Sequence, residues 1–179
     1  MLVYHPSEDS FLLSETLKSY LKNKPSFLKI LDLGAGTGIQ AETCLNSGFK
    51  NVLCADINQE AVKFLKQKGF KAVHSDLFLK INKKQKFNLI IFNPPYLPED
   101  KYDKEKDTSG GEKGCETIIR FLKQAKFHLT DNGAIILLFS SLSQPKIIIN
   151  KAEELGYKLK LLNSKKLFFE ELFVYLLKI

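Results

Sequence analysis

The tetrapeptide Asn93-Pro94-Pro95-Tyr96 is the stretch whose residue types point most directly to chemistry. Each proline drives the residue before it toward an extended backbone, and neither proline offers an N–H group. The turn therefore presents two fixed acceptors, the side-chain oxygen of Asn93 and the carbonyl oxygen of Pro94. Two such acceptors suit a planar –NH2 group, because holding both hydrogens favours pyramidalisation and frees the nitrogen lone pair. Tyr96 is expected to cover the flat face of the substrate; the alternative interpretation is a rigid turn between strand and loop.

A glycine-rich turn lies upstream, where the sequence from Asp32 to Gly38 reads DLGAGTG. A strand that opens through alternating glycines into a helix is expected to leave bare backbone N–H groups for a ligand. A dinucleotide-binding fingerprint would need a further glycine at position 39, which is Ile39. The spacing, with an acid two residues ahead of the glycines, therefore favours a nucleoside with an amino-acid tail over a pyrophosphate.

Polar side chains stand at or just past the ends of the first four predicted strands: Asp32, Asp56, Asp76 and Asn93. A single Asp after a strand is more often a helix cap or a turn residue. The carboxyl ends of parallel strands share one edge of the sheet, so four in register are expected to converge on one crevice. Asp56 stands 24 residues beyond Asp32, where a carboxylate would accept hydrogen bonds from ribose hydroxyls.

Apolar periodicity and the positions of Gly and Pro predict alternating strands and helices. The predicted strands cover residues 28–33, 51–55, 70–74, 87–92, 134–139, 157–162 and 172–177. The predicted helices cover residues 6–21, 39–48, 59–68, 117–129 and 145–155. This order predicts an α/β fold with a parallel sheet covered on both faces, in which the last two strands, with no helix between them, pair antiparallel.

Three local expectations accompany these elements. Ser7 is expected to cap the first helix, which would bury an apolar stripe made of Phe11, Leu12, Leu17 and Leu21. Residues 131–133, Asp-Asn-Gly, predict a turn into the fifth strand. Residues 97–113 are charged and poor in apolar side chains, which predicts a long loop of the kind that often serves function.

Bulk composition limits the class of protein. The 179 residues suffice for one well-buried domain, expected to span residues 1–179, and 44% hydrophobic content excludes wholesale disorder. The net charge of +7 comes almost entirely from dispersed Lys, with Arg120 as the only Arg, so it indicates a solvated surface more than a nucleic-acid site. No apolar run reaches membrane-spanning length, and Cys44, Cys54 and Cys115 form no metal-ligand pair, so a reduced cytoplasmic protein without a metal is expected.

The ordered motifs resemble those of class I S-adenosylmethionine-dependent methyltransferases that methylate amino groups. They are LDLGAGTG at 31–38, ADIN at 55–58, SDL at 75–77 and NPPY at 93–96. More narrowly, residues 3–13, VYHPSEDSFLL, and the segment GGEKG at 110–114 leading to Arg120 resemble the HemK-like release-factor glutamine methyltransferases of archaea and eukaryotes. The resemblance spans the chain and implies a Rossmann-like three-layer sandwich with a mostly parallel seven-stranded sheet and an antiparallel last strand. Residues 1–27 would then form a helical segment over the cofactor site.

The resemblance also implies roles for individual residues. Asp32 and Gly34 would hold the methionine end of S-adenosylmethionine, Asp56 the ribose and Asp76 with Leu77 the adenine. Ser10 stands where the family usually has Thr, near the cofactor. The full cofactor set implied is Ser10, Asp32, Gly34, Gly36, Gly38, Asp56, Ile57, Asp76, Leu77 and Asn93. The catalytic set is Asn93, Pro94, Pro95 and Tyr96, with Asn93 and Pro94 gripping the substrate amide.

The implied activity is protein-(glutamine-N5) methylation of the Gly-Gly-Gln motif in a peptide-chain release factor. The alternatives are methylation of an exocyclic amine of adenine or guanine in RNA or DNA, and a non-catalytic cofactor-binding scaffold. Bacterial relatives have a further N-terminal domain for the release factor, which has no expected counterpart here. A small zinc-binding activator protein is the other implied partner, docked where the third strand forms a sheet edge beside Phe78, Leu79 and Ile81. The competing interpretation is that these three residues pack under the chain's own loops.

Overall fold

The computed structural model describes residues 3–99 and 110–179, which form a sheet with helices on both faces. The helices are α1 (Glu8–Leu21), α2 (Ile39–Asn46), α3 (Gln59–Gln67), α4 (Glu116–Ala125) and α5 (Pro145–Glu154), with 3₁₀ turns at Lys126–His128 and Ser141–Ser143. The strands are β1 (Ile30–Leu33), β2 (Val52–Asp56), β3 (Lys71–His74), β4 (Phe87–Phe92), β5 (Leu129–Ser140), β6 (Lys158–Lys166) and β7 (Glu171–Lys178).

The strand order is β3-β2-β1-β4-β5-β7-β6. Strand β7 runs antiparallel to both of its neighbours, β5 and β6, and the other strand pairs are parallel. This confirms the predicted mostly parallel seven-stranded sheet with an antiparallel last strand. Strands β2 and β3 lie on one side of β1, and β4 lies on the other, so the strand order reverses between β1 and β4. In open α/β sheets, ligands bind at such a reversal, outside the carboxyl ends of the strands.

Two cores lie on opposite faces of the sheet because neighbouring side chains of a strand point to opposite sides. In β4, Leu89 and Ile91 face α1 and α2, whereas Ile90 and Phe92 face α4 and α5. The central strands are therefore apolar at nearly every position, as strands covered on both faces must be. Asp32 interrupts this pattern in β1 and is only 1% exposed, which marks it as a residue retained for a purpose other than packing.

The first helix differs from its prediction at its N-terminus. It begins at Glu8, and although Ser7 occupies the capping position, its side chain makes no capping hydrogen bond. The first turn is instead closed by the backbone of Phe11, whose N–H donates to Ser7 O at 3.0 Å. The ring of Phe11 is 56% exposed, so the buried stripe runs through its neighbours Leu12 and Leu13 instead.

The fifth strand begins earlier than predicted. The pairing of β5 with β4 joins Leu129 to Phe87 and then Ala134 to Leu89, so residues 130–133 form a bulge within one strand. The predicted turn at 131–133 is therefore wrong, and the helix predicted to reach residue 129 ends at Ala125. Gly133 permits the bulge, since a Cβ there would lie 2.9 Å from Thr130 O and 3.0 Å from Phe87 O.

The predicted edge position of the third strand is confirmed, but only one of its three apolar neighbours is available for docking. Phe78 and Ile81 are each 5% exposed, and the ring of Phe78 stacks on that of His128 at 4.6 Å. The predicted apolar patch is wrong for these two residues, because the segment after β3 folds back into the core. Leu79 remains 74% exposed.

Across residues 3–99 and 110–179, the helices are too short or too polar to cross a bilayer. The cysteines at 44, 54 and 115 are buried free thiols. Within the loop predicted at 97–113, residues 100–109 lie outside the described residues, and the two ends meet where Gly110 N donates to Leu97 O at 2.8 Å.

Candidate active site

A cavity of about 460 Å³ opens at the carboxyl ends of β1, β2 and β4, beside the start of α1. Its volume lies in the range of sites that hold a cofactor-sized molecule. The structure brings nearly all of the predicted site residues into its wall. They are Ser10, Asp32, Gly34, Gly36, Asp56, Ile57, Asp76, Leu77, Asn93, Pro94, Pro95 and Tyr96.

Gly38 is the predicted site residue that does not line this cavity. Its backbone is left-handed at φ +88°, and a Cβ there would lie 2.7 Å from Leu65 Cδ2. The third glycine of the turn therefore allows α2 to start close against α3, which is a packing role.

The glycine turn uses its N–H groups differently from the prediction. The N–H groups of Gly34 and Ala35 both donate to Ala55 O, at 2.8 and 3.2 Å, and that of Gly36 donates to Asp56 Oδ2 at 2.8 Å. The expectation of bare N–H groups is wrong for these three residues, because the turn is tied to β2. Gly36 instead supplies space: among the described residues, a Cβ there would come within 4 Å of Tyr4 O alone, at 3.8 Å.

Asp32 is a buried residue of β1 whose side chain reaches the first turn of α2. Its Oδ2 accepts a hydrogen bond from Ala41 N at 3.0 Å. Burial raises the pKa of Asp32 to about 7, and the nearby charge of Asp56 adds to the rise, against the lowering effect of the Ala41 N–H. A cation bound beside Asp32 would therefore be strongly favoured, because its charge would offset the cost of keeping the buried carboxylate ionised.

Asp56 lies at the end of β2 and is 8% exposed. Its Oδ1 accepts from Asn58 N at 2.7 Å, and its Oδ2 accepts the Gly36 N–H already described. The carboxylate thus fixes the position of the glycine turn relative to β2. Each carboxylate oxygen accepts more than one hydrogen bond, so this arrangement is compatible with the predicted contact to ribose hydroxyls.

Asp76 and Leu77 follow β3 at the far side of the cavity. Asp76 Oδ2 accepts from Arg120 Nη2 at 2.7 Å, so Arg120 of α4, which is not one of the predicted site residues, lines the cavity. Leu77 has a left-handed backbone at φ +46°, held by Ser75 Oγ, which donates to Leu77 O at 2.8 Å. Glycine adopts a positive φ far more readily than leucine, so this conformation indicates a constraint on the cavity wall.

Asn93 has two different surroundings at the two ends of its amide. Nδ2 donates to Asp9 Oδ2 at 2.9 Å, whereas Oδ1 is buried and has no hydrogen-bond partner within the described residues. Asp9 belongs to the first turn of α1 and is not one of the predicted site residues. An unpaired buried acceptor is costly, and a ligand N–H would offset that cost.

Tyr96 lies in the cavity wall, and Gly110 and Gly114 pack against the backbone of the Asn-Pro-Pro-Tyr motif. Burial, and after it the charge of Asp9, raises the pKa of the Tyr96 hydroxyl, so this group stays protonated at neutral pH. A Cβ on Gly110 would lie 2.7 Å from Pro95 O, and a Cβ on Gly114 would lie 2.5 Å from Tyr96 O. The backbone of the glycine segment thus supports the backbone of the motif directly.

The helix α1 is tied to α2 by buried polar contacts beside the cavity. Gln40 Nε2 donates to Ser10 O at 2.9 Å, and Gln40 Oε1 accepts from Ser14 Oγ at 3.0 Å. These contacts hold the start of α1, with Ser10, at the cavity wall. They connect α1, which precedes β1 in the chain, to α2, which follows β1.

The charges in the cavity wall favour a cationic ligand. Among the described residues that line it, four are carboxylates, Asp9, Asp32, Asp56 and Asp76, and one is a cation, Arg120, which is already paired with Asp76. Such a wall repels phosphate groups and attracts a sulfonium or ammonium. The open space at Gly36, the buried acceptor on Asn93 and the carboxylates therefore fit S-adenosylmethionine, whose tail carries both cations.

Comparison with known proteins gives the same assignment. The methyltransferase small domain family matches residues 9–157. A protein of Methanocaldococcus jannaschii named as a candidate protein N5-glutamine methyltransferase is 37% identical over 96% of this chain and 89% of its own length. Methyltransferase HEMK2 of Mus musculus is 30% identical over 86% of this chain and 79% of its own.

Two further comparisons bear on chain length and fold. A release factor glutamine methyltransferase of Clostridium botulinum is 32% identical over 73% of this chain, which spans only 53% of that protein. The solved structure of the E. cuniculi Mtq2-Trm112 complex, described as responsible for methylation of the translation termination factor eRF1, matches with a TM-score of 0.82 and 28% identity over 99% of both chains. The chain therefore belongs to the methyltransferase small domain family of S-adenosylmethionine-dependent enzymes.

Proposed function

We propose that this enzyme methylates the N5 nitrogen of a glutamine side chain, and that its substrate is the Gly-Gly-Gln loop of a peptide-chain release factor. The observation that carries the proposal is the buried Oδ1 of Asn93, an acceptor beside Pro94 in the cavity wall that has no hydrogen-bond partner among the described residues. The names of the M. jannaschii and C. botulinum relatives, and the eRF1 methylation by the E. cuniculi complex, support it.

S-adenosylmethionine supplies an electrophilic methyl group, so the protein's task is to prepare the nucleophile. A glutamine amide nitrogen is weakly nucleophilic because its lone pair is delocalised into the carbonyl. Asn93 Oδ1 and Pro94 O would each accept one hydrogen of the –NH2 group, which favours pyramidalisation and frees the lone pair. These hydrogen bonds strengthen as the nitrogen gains positive charge, so they stabilise the transition state more than the bound substrate.

We propose roles for the remaining predicted residues from their places in the wall. Asp32 and Gly34 would face the methionine end, Asp56 and Ile57 the ribose, and Asp76 with Leu77 the adenine. Gly36 would leave room for the ligand, and Ser10 would border it from α1. Pro95 keeps the motif turn stiff, and Tyr96 would cover the substrate face.

The shape and charge of the site favour glutamine over the alternatives. A lysine ammonium carries three donors and must lose a proton before attack, and two acceptors suit it less well. An exocyclic amine of adenine or guanine is planar and remains the main competitor. The carboxylate-rich wall, however, disfavours the phosphates that accompany a nucleobase.

The deciding assay offers the chain three substrates with labelled S-adenosylmethionine: a release factor, its Gln→Asn variant in the Gly-Gly-Gln motif, and bulk nucleic acid. We expect one methyl group on the release factor, located at the glutamine by mass spectrometry, and background labelling of the other two. Label on nucleic acid alone, or equal label on the Gln→Asn variant, would overturn the proposal.

We also propose that a small zinc-binding activator protein adds to the free edge of β3, in the cytoplasm where release factors act. The solved relative is itself a complex with a second protein, and β3 ends the sheet with Leu79 exposed beside it. An edge strand with a neighbouring apolar side chain is a ready site for strand addition.

Purification of the tagged chain from its native source tests the partner. We expect one small zinc-containing protein in stoichiometric amount, lost in a Leu79→Asp variant. A matched control is Phe27→Asp, which removes another exposed apolar side chain, 76% exposed and ahead of β1. Recovery of the free chain alone, or equal loss of the partner in both variants, would contradict this assignment.

A further inference from the structure

We propose that Asp9 is a positioning residue for methyl transfer: it fixes the orientation of the Asn93 amide so that the oxygen, and not the nitrogen, is offered to the substrate. The inference rests on the proposed function of Asn93 as an acceptor for the substrate –NH2 group. It concerns a residue of α1 that lies 84 positions from the one it orients.

The two oxygens of Asp9 have separate partners. Oδ1 accepts from Tyr4 Oη at 3.0 Å, from Ser10 N at 2.6 Å and from Ser10 Oγ at 3.2 Å. Oδ2 accepts from Asn93 Nδ2 at 2.9 Å. The carboxylate is therefore held at one end by the backbone and side chains of its own segment, and its other end is directed at Asn93.

The chemistry of the pair decides which way the Asn93 amide turns. An ionised Asp only accepts hydrogen bonds, whereas an Asn amide accepts at one end and donates at the other. If the amide were turned over, Asn93 Oδ1 would face Asp9 Oδ2 across 2.9 Å, and two acceptors would repel each other in a site where Asp9 is 5% exposed. The observed orientation avoids this repulsion and gives Asp9 Oδ2 a donor in Asn93 Nδ2, beside the hydrogen bond that the Tyr96 hydroxyl makes to the same carboxylate.

That orientation leaves Asn93 Oδ1 in the cavity wall as an acceptor with no partner in residues 3–99 and 110–179. Without a fixed partner at Nδ2, the amide would be able to rotate by 180° and present two donors to a substrate that needs an acceptor. The Tyr4 hydroxyl supports the arrangement, because burial, and after it the charge of Asp9, raises its pKa and keeps it a donor. Tyr4, which precedes α1, thereby helps Asp9 to hold the amide of Asn93, which follows β4.

A merely structural role for Asp9, as an acid at the start of α1, predicts different behaviour. In that case its loss would lower stability and the affinity for cofactor, and it would not matter which polar group stands at position 93. The positioning role instead predicts that positions 9 and 93 must be complementary, one accepting and one donating, with an acceptor left over for the cavity.

The test compares Asp9→Asn, Asn93→Asp and the double exchange. In Asp9→Asn, Tyr4 Oη and Ser10 N still require an acceptor at the Oδ1 position, so the new –NH2 group faces Asn93 and the Asn93 amide turns over. We expect kcat to fall by about 100-fold or more, the order of loss seen when a transition-state hydrogen bond is removed. The dissociation constant for cofactor should change much less than kcat, because Asn93 rather than the cofactor is reoriented and three of the four wall carboxylates remain.

The exchanged pair restores complementarity. Asn at position 9 donates to Asp at position 93, whose other oxygen is again an acceptor in the cavity, whereas Asn93→Asp alone sets two carboxylates against each other. We expect kcat of the double variant to exceed that of either single variant by about tenfold or more, a coupling that independent effects would not give. Glu8→Gln is the matched control, since Glu8 precedes Asp9 and its carboxylate pairs with Lys165 on the surface.

Nuclear Overhauser contacts of the Asn93 side-chain amide protons give a readout that needs no substrate. In the wild type they should point to Asp9 and Ser10, and in Asp9→Asn these contacts should weaken. Unchanged kcat in Asp9→Asn, or a double variant whose loss is the product of the two single losses, would overturn the proposal. If instead the amide contacts change as expected while the enzyme labels nucleic acid and no glutamine, the positioning role stands and the proposed substrate fails.

Discussion

Gly114 lies so close to Tyr96 that a Cβ on the glycine would be 2.5 Å from the carbonyl oxygen of the tyrosine. Its backbone is also left-handed, at φ +77°. The two residues belong to segments on either side of residues 100–109, and their contact sets the place of the motif turn from behind. A side chain at position 114 must push the motif, and with it the acceptor on Asn93, toward the cavity.

We expect Gly114→Ala to reduce kcat/KM by about tenfold or more, because small displacements of an aligned group lower the rate strongly. Gly48→Ala is the matched control: Gly48 has φ +92°, but a Cβ there would have none of the described residues' atoms within 4 Å. Both variants carry the cost of a left-handed alanine, about 1 kcal/mol in thermal unfolding. Only Gly114→Ala should lose activity. Equal activity of the two variants would show that the close approach of Gly114 to Tyr96 does not affect catalysis.

Asp56→Ala is expected to weaken cofactor binding by about tenfold or more. The charge-assisted hydrogen bonds lost with the carboxylate are each worth about 1.5–3 kcal/mol, and the glycine turn also loses its contact at Gly36 N. Isothermal titration calorimetry with S-adenosylmethionine measures the change. Asp131→Ala, in the exposed bulge of β5, is the control for loss of a negative charge. An unchanged dissociation constant in Asp56→Ala would remove Asp56 from the site.

Asn93→Ala should keep most of the cofactor affinity and lose turnover. Its acceptor matters most as the substrate nitrogen pyramidalises, so kcat should fall by about 100-fold or more while the cofactor dissociation constant changes little. Asn163→Ala, which removes a hydrogen bond to Thr16 outside the cavity, is the control. A variant that loses cofactor but keeps turnover at saturating cofactor would contradict the role of Asn93.

The pH dependence of the free energy of unfolding of the cofactor-free protein should reflect the titration of Asp32. Because the pKa of Asp32 in the folded protein is about 7, above that of an unfolded Asp, the folded state holds a proton that the unfolded chain releases between about pH 4 and 7. The contribution of Asp32 to the free energy of unfolding is therefore fully present below about pH 4 and is lost as pH rises to 7, by up to about 1.4 kcal/mol per pH unit.

The measurement is the difference in unfolding free energy between wild type and Asp32→Asn, from urea titrations at several pH values. This difference isolates Asp32 from the other groups that titrate in the same range. We expect it to shift steadily in favour of the variant between pH 4 and 7 and to level off above 7. A difference independent of pH would mean that Asp32 ionises at an ordinary pKa.

Cofactor binding should release a proton at mildly acidic pH. A bound cation favours the ionised form of Asp32, so the affinity for S-adenosylmethionine is expected to rise by up to about tenfold per pH unit below the pKa of about 7 and to become constant above it. Calorimetry at pH 6 in two buffers with different ionisation heats counts the protons. Asp32→Asn should show no release from this position; equal release in both proteins would assign the proton to another group.

The sequence by itself determined the features that depend on local order. Alternating strands and helices imply the parallel sheet, and the position of Asp32, Asp56, Asp76 and Asn93 at strand ends implies their convergence, because parallel strands end at one edge. The stiffness of the motif turn follows from its two prolines alone. The cofactor class followed from the glycine spacing together with the family resemblance.

Tertiary structure alone decided how the groups in that crevice are oriented and supported. Asp9 and Asn93 are 84 residues apart, and Asp76 and Arg120 are 44 apart, so no local pattern links either pair. The burial of Phe78 and the bulge in β5 likewise depend on which segment packs beside them. Periodicity reports which residues share the face of one element, whereas a hydrogen bond between elements depends on the packing of α1 against the sheet. That packing left Asn93 with one amide end held by Asp9 and the other, in the cavity wall, without a partner in the part of the chain that the structure describes.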